Sequence, residues 1–149
     1  GFSTLGAFAI VGLVRDSAGE ATRISQWAGL GKTSPLVASA MAIMLLAFTG
    51  IPLTSGFTSK LLIFEAGIEG GAAPVVVVGV IASVIAAFIY IRVIVLMFLT
   101  DRADDAPSVV VPSSLTAVAI GVTVAVTVIL GVLPQSVLDL ADKASTFIR

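Results

Sequence analysis

Lys60 is the side chain of this 149-residue sequence best placed to do chemistry, because it lies within a long apolar stretch, residues 35–69. A charged side chain near the middle of a bilayer costs at least about 2.5–3.5 kcal/mol, and such residues commonly mark ion or proton paths. Burial disfavours the charged form of an amine, so a lysine there can both hold and release a proton. We predict that Lys60 transfers protons. The alternative is that it reaches the membrane interface or pairs with a structural acid.

Two acidic residues follow Lys60 on the same apolar stretch. Glu65 and Glu69 are spaced to share one helical face. Glu65 lies five residues from Lys60, a rise of about 7.5 Å, so it could accept a proton on an exit route. The alternative, stronger for Glu69, is that both carboxylates are solvated at the membrane interface.

Three residues just before Lys60 are predicted to interrupt the helix. Pro52 lacks the N–H that a helical hydrogen bond needs. Gly50 and Gly56 permit backbone dihedrals that helices do not use. We therefore predict an unwound link over residues 50–56, which survives at membrane depth only where protein or a wet cavity surrounds it.

The link divides the apolar stretch into two half-helices, 36–49 and 57–68. One straight helix over residues 35–69 would be about 52 Å long, which overshoots a bilayer core of about 30 Å, and two separate crossings would each be too short. One discontinuous crossing fits better. The positive N-terminal end of the second half-helix would then oppose the charged form of Lys60.

The composition indicates a membrane protein. Hydrophobic residues make up 58% of the chain, charged residues 11%, and the mean hydropathy is +1.15. Soluble domains carry about 25% charged residues. The net charge of −1 without a basic run argues against a nucleic-acid partner. The sequence contains no cysteine and no histidine, which removes thiolate and imidazole ligands, and we predict no metal or cofactor site in this chain.

The predicted fold class is all-α, a polytopic transmembrane helix bundle with one discontinuous helix. The first apolar segment is too short to span a bilayer, which we interpret as a truncated helix of a longer protein. Residues 24–30 could form a short interfacial helix with Trp27 at headgroup level. The predicted membrane segments are 1–14, 36–68 broken at 50–56, 74–99 and 113–133, followed by a surface helix over 135–148.

The distribution of lysine and arginine predicts the orientation. Loops 15–34 and 100–112, together with Arg92, hold five cations, against two near the C-terminus. By the positive-inside rule we place both loops in the cytoplasm and the C-terminus outside. We expect Arg92 to be an interfacial anchor, with an ion pair to another helix as the alternative. The seven cations are Arg15, Arg23, Lys32, Arg92, Arg102, Lys143 and Arg149.

Residues 46–60, LAFTGIPLTSGFTSK, resemble the L-A-x-x-G-I-P-x-x-x-G-F-x-x-K signature of the antiporter-like membrane subunits of respiratory complex I. Three further stretches are similar to motifs of that family: TLGAF at 4–8, YIRV at 90–93 and LGVLPQ at 130–135. The resemblance covers essentially the whole chain, as the C-terminal third of such a subunit. Leu61, where the L-type relatives and the sodium/proton antiporter subunits usually have Asp, favours the N-type branch.

The resemblance implies that Lys60 belongs to a proton channel in a subunit of a proton-translocating NADH–quinone oxidoreductase of the cell inner (plasma) membrane. No redox chemistry is then expected in this chain, and NAD, FMN, iron–sulfur clusters and quinone are expected in partner subunits. The other membrane subunits of complex I and the lipid bilayer are the expected partners. Glu65 is not part of the family pattern. A cation/proton antiporter subunit and a structural membrane scaffold are the alternatives.

Overall fold

The computed structural model describes residues 1–16, 19–52, 54–101 and 108–133, and the helices within them confirm the predicted all-α membrane bundle. The predicted surface helix at 135–148 lies outside the described residues. The helices are α1 (Phe2–Val11), α2 (Leu30–Thr33), α3 (Pro35–Thr49), α4 (Ser55–Glu69), α5 (Ala73–Leu99) and α6 (Ser114–Val132), with a 3₁₀ helix at Ile24–Trp27.

Local sequence signals explain where several helices begin and end. Pro35 opens α3 and Pro74 lies in the first turn of α5, where a missing N–H costs nothing. Ser113 caps α6 by accepting a hydrogen bond from the backbone N–H of Thr116 at 3.2 Å. Gly50 ends α3 with a φ of +79°, the left-handed conformation that glycine adopts without strain.

Helix α3 is the centre of the bundle and packs against α1, α2, α4, α5 and α6. Met44 of α3, Ile10 of α1 and Met97 of α5 are fully buried. Gly6 allows α1 to approach closely, since a Cβ there would lie 2.6 Å from Thr123 Oγ1 of α6. Close approach at small residues is how membrane helices gain packing contacts without a hydrophobic driving force between them.

The outer surface of the bundle is apolar. Helices α5 and α6 are long and apolar enough to cross a membrane, and their bounds lie within one residue of the predicted 74–99 and 113–133. Helices α1 and α3 are shorter apolar helices. Since large apolar side chains stay exposed along α5 and α6, the chain is a multi-pass membrane protein. The most exposed of these are Val75, Val78, Val84, Phe88, Leu99, Leu115 and Val118.

Helix α3 ends at Thr49 and α4 begins at Ser55, and the described residues between them, 50–52 and 54, are not helical. The interruption is shorter than the predicted 50–56 because Gly56 lies inside α4. Helices α3 and α4 contact each other directly. That they form one discontinuous crossing of the bilayer stays a prediction.

The segment predicted as a polar loop at 15–34 contains regular structure that the sequence did not indicate. Strands β1 (Val14–Asp16), β2 (Gly19–Glu20) and β3 (Ser108–Val109) form an antiparallel sheet in the order β2-β1-β3. Because β1 pairs with β3, the 15–34 and 100–112 loops meet at one end of the bundle. The side of the membrane that this end faces stays a prediction.

Trp27 belongs to the core beneath this sheet rather than to the exposed surface. Its side chain is only 6% exposed, and its indole Nε1 donates to the carbonyl oxygen of Ala21 at 3.3 Å. A buried indole N–H needs such an acceptor. The Trp27 side chain therefore points into the bundle, and its predicted position at headgroup level stays a prediction.

Candidate functional site

Lys60 lies on α4 and reaches back across the interruption to the end of α3. Its Nζ donates to the carbonyl oxygens of Phe48 at 3.0 Å and Thr49 at 2.9 Å. These carbonyls belong to the last turn of α3, where no further helical N–H groups are available to them. The ammonium therefore satisfies two backbone acceptors that the interruption leaves without partners.

The Lys60 ammonium lies where two helix ends meet. The sequence predicted that the positive N-terminal end of the second helix would oppose its charge, and the beginning of α4 does lie directly against the end of α3 at Gly56. The two carbonyls that Lys60 contacts belong to the C-terminal end of α3, which carries partial negative charge. The predicted effect of the α4 end on Lys60 stays a prediction.

Gly50 makes room for the lysine side chain. Its N–H donates to the carbonyls of Leu46 and Ala47, both at 3.2 Å, which closes the last turn of α3. A Cβ on Gly50 would lie 2.9 Å from Lys60 Cδ, so any larger residue crowds the lysine. Glycine is thus required here both for its positive φ and for its lack of a side chain.

Gly56 lets the beginning of α4 lie directly against the end of α3. A Cβ on Gly56 would lie 1.8 Å from the carbonyl oxygen of Ala47, which is a severe overlap with backbone. Pro52, the third residue predicted to cause the break, lies in the interruption and is exposed. Gly50 and Gly56 therefore set the distance between Lys60 and its two carbonyl partners.

Three hydroxyl groups around the interruption bond to nearby backbone. Thr49 Oγ1 donates to Leu46 O at 2.6 Å, and Ser59 Oγ donates to Ser55 O at 2.9 Å. Thr54 Oγ1 donates to the carbonyl of Ile51, also within its own segment, at 2.7 Å. Such bonds are common for hydroxyls in helices and at helix ends. They stabilise the ends of α3 and α4 around Lys60.

The interruption is also tied to α5, a contact that sequence reasoning missed. The rings of Phe48 and Tyr90 lie 5.7 Å apart at an angle of 44°. Tyr90 is half-buried against α3. An aromatic pair of this geometry stabilises packing by about 0.5–1.5 kcal/mol. Since Phe48 O accepts from Lys60, the pair helps to position one of the lysine's acceptors.

The structure does not bring Glu65 into contact with Lys60. Lys60 is half-buried, whereas Glu65 and Glu69 are exposed on α4. Among the described residues, neither carboxylate forms an ion pair. The predicted role of Glu65 as an exit-side acceptor stays a prediction.

The end of the bundle that carries the sheet holds an ion pair between Lys32 of α2 and Asp101 after α5. The hydrogen bond and positive charge of Lys32 hold the pKa of Asp101 below its ordinary value of 3.8. Both side chains are exposed, so the pair is a solvated link between α2 and the end of α5. Within the part of the chain that the structure describes, no three acidic residues cluster in a way that could hold a metal ion.

The fold and the site together define a class: a multi-pass helical membrane protein that holds a lysine ammonium at an interruption between two helices. Residues 1–86 match the family model described as "NADH:quinone oxidoreductase/Mrp antiporter, TM". The chain belongs to this NADH:quinone oxidoreductase/Mrp antiporter membrane family, which confirms the resemblance seen at residues 46–60.

Curated relatives are similar along the entire chain. NADH-quinone oxidoreductase subunit N of Rhodococcus opacus (strain B4) is 65% identical over 149 residues, covering 100% of this chain and 28% of the relative. Subunit N of Mycobacterium tuberculosis (strain H37Rv) is 54% identical over 152 residues, covering 99% and 29%. The chain thus spans less than a third of the length of these relatives.

A solved structure supports the fold. A chain of the respiratory complex I from Thermus thermophilus with bound Aureothin matches with a TM-score of 0.80 over 93% of this chain and 31% of that chain. The sequence identity is 23%, so this match concerns the arrangement of the helices alone.

Proposed function

We propose that this chain is the C-terminal part of an N-type, proton-translocating membrane subunit of NADH–quinone oxidoreductase. Its family membership and the names of its relatives support this assignment. Electron transfer from NADH to quinone takes place in partner subunits, which hold NAD, FMN, iron–sulfur clusters and quinone. This chain contributes proton export and no redox chemistry.

The observation that carries the proposal is the position of the Lys60 ammonium on the carbonyls of Phe48 and Thr49. An ammonium has three N–H donors, and these carbonyls accept two of them. The third can donate to water or to a transient acceptor. On proton release the N–H bond breaks, its electron pair stays on Nζ, and the proton passes to the acceptor oxygen.

In the proposed site, proton release has an electrostatic cost, and a change of that cost controls the release. A neutral amine keeps its hydrogen bonds to α3 but loses the attraction between its charge and the negative helix end. A change of charge near Lys60, driven by the redox subunits, would tip this balance and expel the proton outward. Glu65, on the outer part of α4, is the proposed acceptor on that route.

The proposed setting is the cell inner (plasma) membrane. Loops 15–34 and 100–112 face the cytoplasm and the C-terminus faces outside, as the distribution of lysine and arginine indicates. The other membrane subunits of the complex are the protein partners. The remaining channel residues belong to the parts of the subunit that lie upstream of this chain.

Replacing Lys60 by Met in the full-length subunit tests the proposal. We expect NADH oxidation to continue at a lowered proton-to-electron ratio in proteoliposomes, because the thioether cannot carry a proton. Glu69→Gln is the matched control, since Glu69 is an exposed titratable residue of the same helix, and we expect an unchanged ratio. An unchanged ratio in fully assembled Lys60→Met complex would favour a structural scaffold and contradict the proposal.

A cation/proton antiporter subunit is the second candidate, because the matching family model covers both classes. Leu61, next to Lys60, argues against it by the family pattern. The composition of the parent complex discriminates between the two. Co-purification with flavin and iron–sulfur subunits supports the oxidoreductase, whereas an intact complex without them, exchanging sodium for protons in vesicles, supports the antiporter.

A further inference from the structure

A groove of about 480 Å³ runs along α5 beside the 3₁₀ helix. Its floor is apolar, and its wall is the 3₁₀ helix. Phe88 and Ile89 of α5 are 69% and 49% exposed, so the groove is open. The lining residues are Ile24, Ser25, Phe88, Ile89, Arg92, Val93 and Leu96.

The wall of the groove is held on α5 by backbone contacts. The N–H of Gly29, just after the 3₁₀ helix, donates to the carbonyl oxygen of Leu96 at 3.2 Å. Gly31 lies so close to α5 that a Cβ there would be 2.6 Å from Phe98 Cδ1. The shape of the groove is therefore fixed by backbone contacts of the fold.

Arg92 lines this groove and, within the part of the chain that the structure describes, has no counter-charge. Its side chain is exposed, and among the described residues it forms no ion pair. The neighbouring cations differ, since Lys32 pairs with Asp101 and Arg15 Nε donates to Gly12 O at 3.1 Å. Arg92 thus has a guanidinium available to bind an anion.

Arg92 lies near enough to the end of α5 for its guanidinium to reach the headgroups of a bilayer. It lies seven residues before Leu99, the end of α5, which is a rise of about 10 Å. An arginine at this depth extends its guanidinium towards the headgroups while its stem stays in apolar surroundings. The apolar floor below it is then level with lipid acyl chains.

We propose that this groove binds an anionic phospholipid, independently of proton transfer at Lys60. The phosphodiester accepts hydrogen bonds from the Arg92 guanidinium, whose planar donors suit phosphate oxygens. One acyl chain lies along Phe88, Ile89 and Val93. Basic pockets between membrane helices recognise anionic headgroups in this way, and one cation near the surface favours them by about fivefold.

Photocrosslinking in the complete complex identifies the occupant. Benzoylphenylalanine replaces Phe88 in the full-length subunit, and the assembled complex is reconstituted in vesicles of equal phosphatidylglycerol and phosphatidylcholine. Illumination should yield adducts about fivefold enriched in phosphatidylglycerol. The same group at Val84, 64% exposed on α5 but outside the groove, is the matched control and should sample both lipids equally.

Arg92→Met in the Phe88-labelled complex should abolish the enrichment while leaving crosslinking to lipid intact. Arg15→Met removes a cation near the same end of the bundle and should preserve the enrichment. Adducts of position 88 with polypeptide would show that another protein segment covers the groove and would overturn the proposal. So would lipid adducts without enrichment, or an enrichment that survives Arg92→Met.

Discussion

At the scale of single residues, Lys60 is defined by what it contacts as much as by its charge. Its ammonium closes the end of α3, so the residue proposed to move a proton also stabilises the interruption. Loss of the positive charge would weaken the link between α3 and α4, because the helix end attracts the ammonium more strongly than the neutral amine. The proposed proton transfer would thereby be coupled to helix packing at one side chain.

Gly50→Ala tests whether the space beside Lys60 matters for its position. The left-handed backbone costs alanine about 1–2 kcal/mol, and the new Cβ would lie 2.9 Å from Lys60 Cδ. We expect reduced stability of the full-length protein and a lowered proton-to-electron ratio. Both are measurable, by thermal unfolding in detergent and by proton release in proteoliposomes.

Gly71 is the matched control for Gly50. Its φ of +73° imposes the same backbone cost on alanine, but a Cβ there would meet nothing within 4 Å. Gly71→Ala should therefore lower stability by a similar amount while leaving the proton ratio unchanged. An equal fall of the proton-to-electron ratio in Gly50→Ala and Gly71→Ala would show that backbone strain, and not crowding of Lys60, is responsible.

At the scale of elements, the contact between α3 and α4 places Lys60, and the small sheet joins the two loops. The helix contact and the sheet both require close contact between backbone segments that are separated in the sequence. Helix α4 lies against α3 through Gly56, and β1 lies beside β3 through paired backbone bonds. Each contact supports a specific prediction.

Gly56→Ala should disrupt the approach of α4 to α3. The new Cβ would lie 1.8 Å from Ala47 O, and since backbone cannot rotate away, the helices must separate. Overpacking of this kind costs about 1–3 kcal/mol. We expect a lower melting temperature in detergent and a smaller yield of assembled complex.

Gly121→Ala on α6 is the matched control for Gly56, because a Cβ at Gly121 would meet nothing within 4 Å. It should leave stability unchanged or slightly raised, as alanine favours helix more than glycine does. If Gly56→Ala were as stable as Gly121→Ala, the close contact between α3 and α4 would be refuted.

The Lys32–Asp101 ion pair predicts a pH dependence. Lys32 lowers the pKa of Asp101, so the pair's contribution to stability is fully present above the ordinary aspartate pKa of 3.8. It is lost as the pH falls through the lowered pKa of the folded state. The difference in melting temperature between wild type and Asp101→Asn should thus be constant above about pH 5 and shrink below about pH 4.

The effect of Asp101→Asn should be small and should weaken in high salt, because both partners of the ion pair are exposed. Lys32→Met removes the other partner of the same ion pair. The double variant, Lys32→Met with Asp101→Asn, should therefore be no less stable than either single variant. A difference that persists unchanged at pH 3 would contradict the assignment to this pair.

At the scale of the whole molecule, the apolar exterior requires a lipid environment. The paired strands require that loops 15–34 and 100–112 lie on the same side of the membrane. Among the described residues, α3 contributes much of the buried core and α5 contributes only Met97. The exposed face of α5, opposite the residues that pack on the core, is therefore available to lipid or to the rest of the subunit. The pairing of β1 with β3 fixes the relative orientation of the crossings.

Single cysteines test this topology, and the absence of cysteine from the chain makes the labelling specific. In an otherwise cysteine-free full-length subunit, Thr22→Cys and Ser108→Cys should react with an impermeant maleimide from the same side, the cytoplasmic one. Gly71→Cys, at the opposite end of α5, should react from the other side. Labelling of positions 22 and 108 from opposite sides would refute the paired sheet.

The sequence by itself determined the helical membrane class and the bounds of α5 and α6, and it pointed to the helix end at Gly50. These follow from local properties: apolar runs, proline and glycine, and the cost of a charge in lipid. The functional role of Lys60 stays a prediction. The family resemblance rested on the same local motifs.

Only the tertiary structure decided which groups surround those residues. It placed the Lys60 ammonium on the carbonyls of Phe48 and Thr49 at the end of α3, buried Trp27, and paired β1 with β3. The physical reason is that such contacts join residues far apart in the chain. Strands of two or three residues show no periodicity, and a flexible lysine can reach either of two helix ends, so only packing selects among the possibilities.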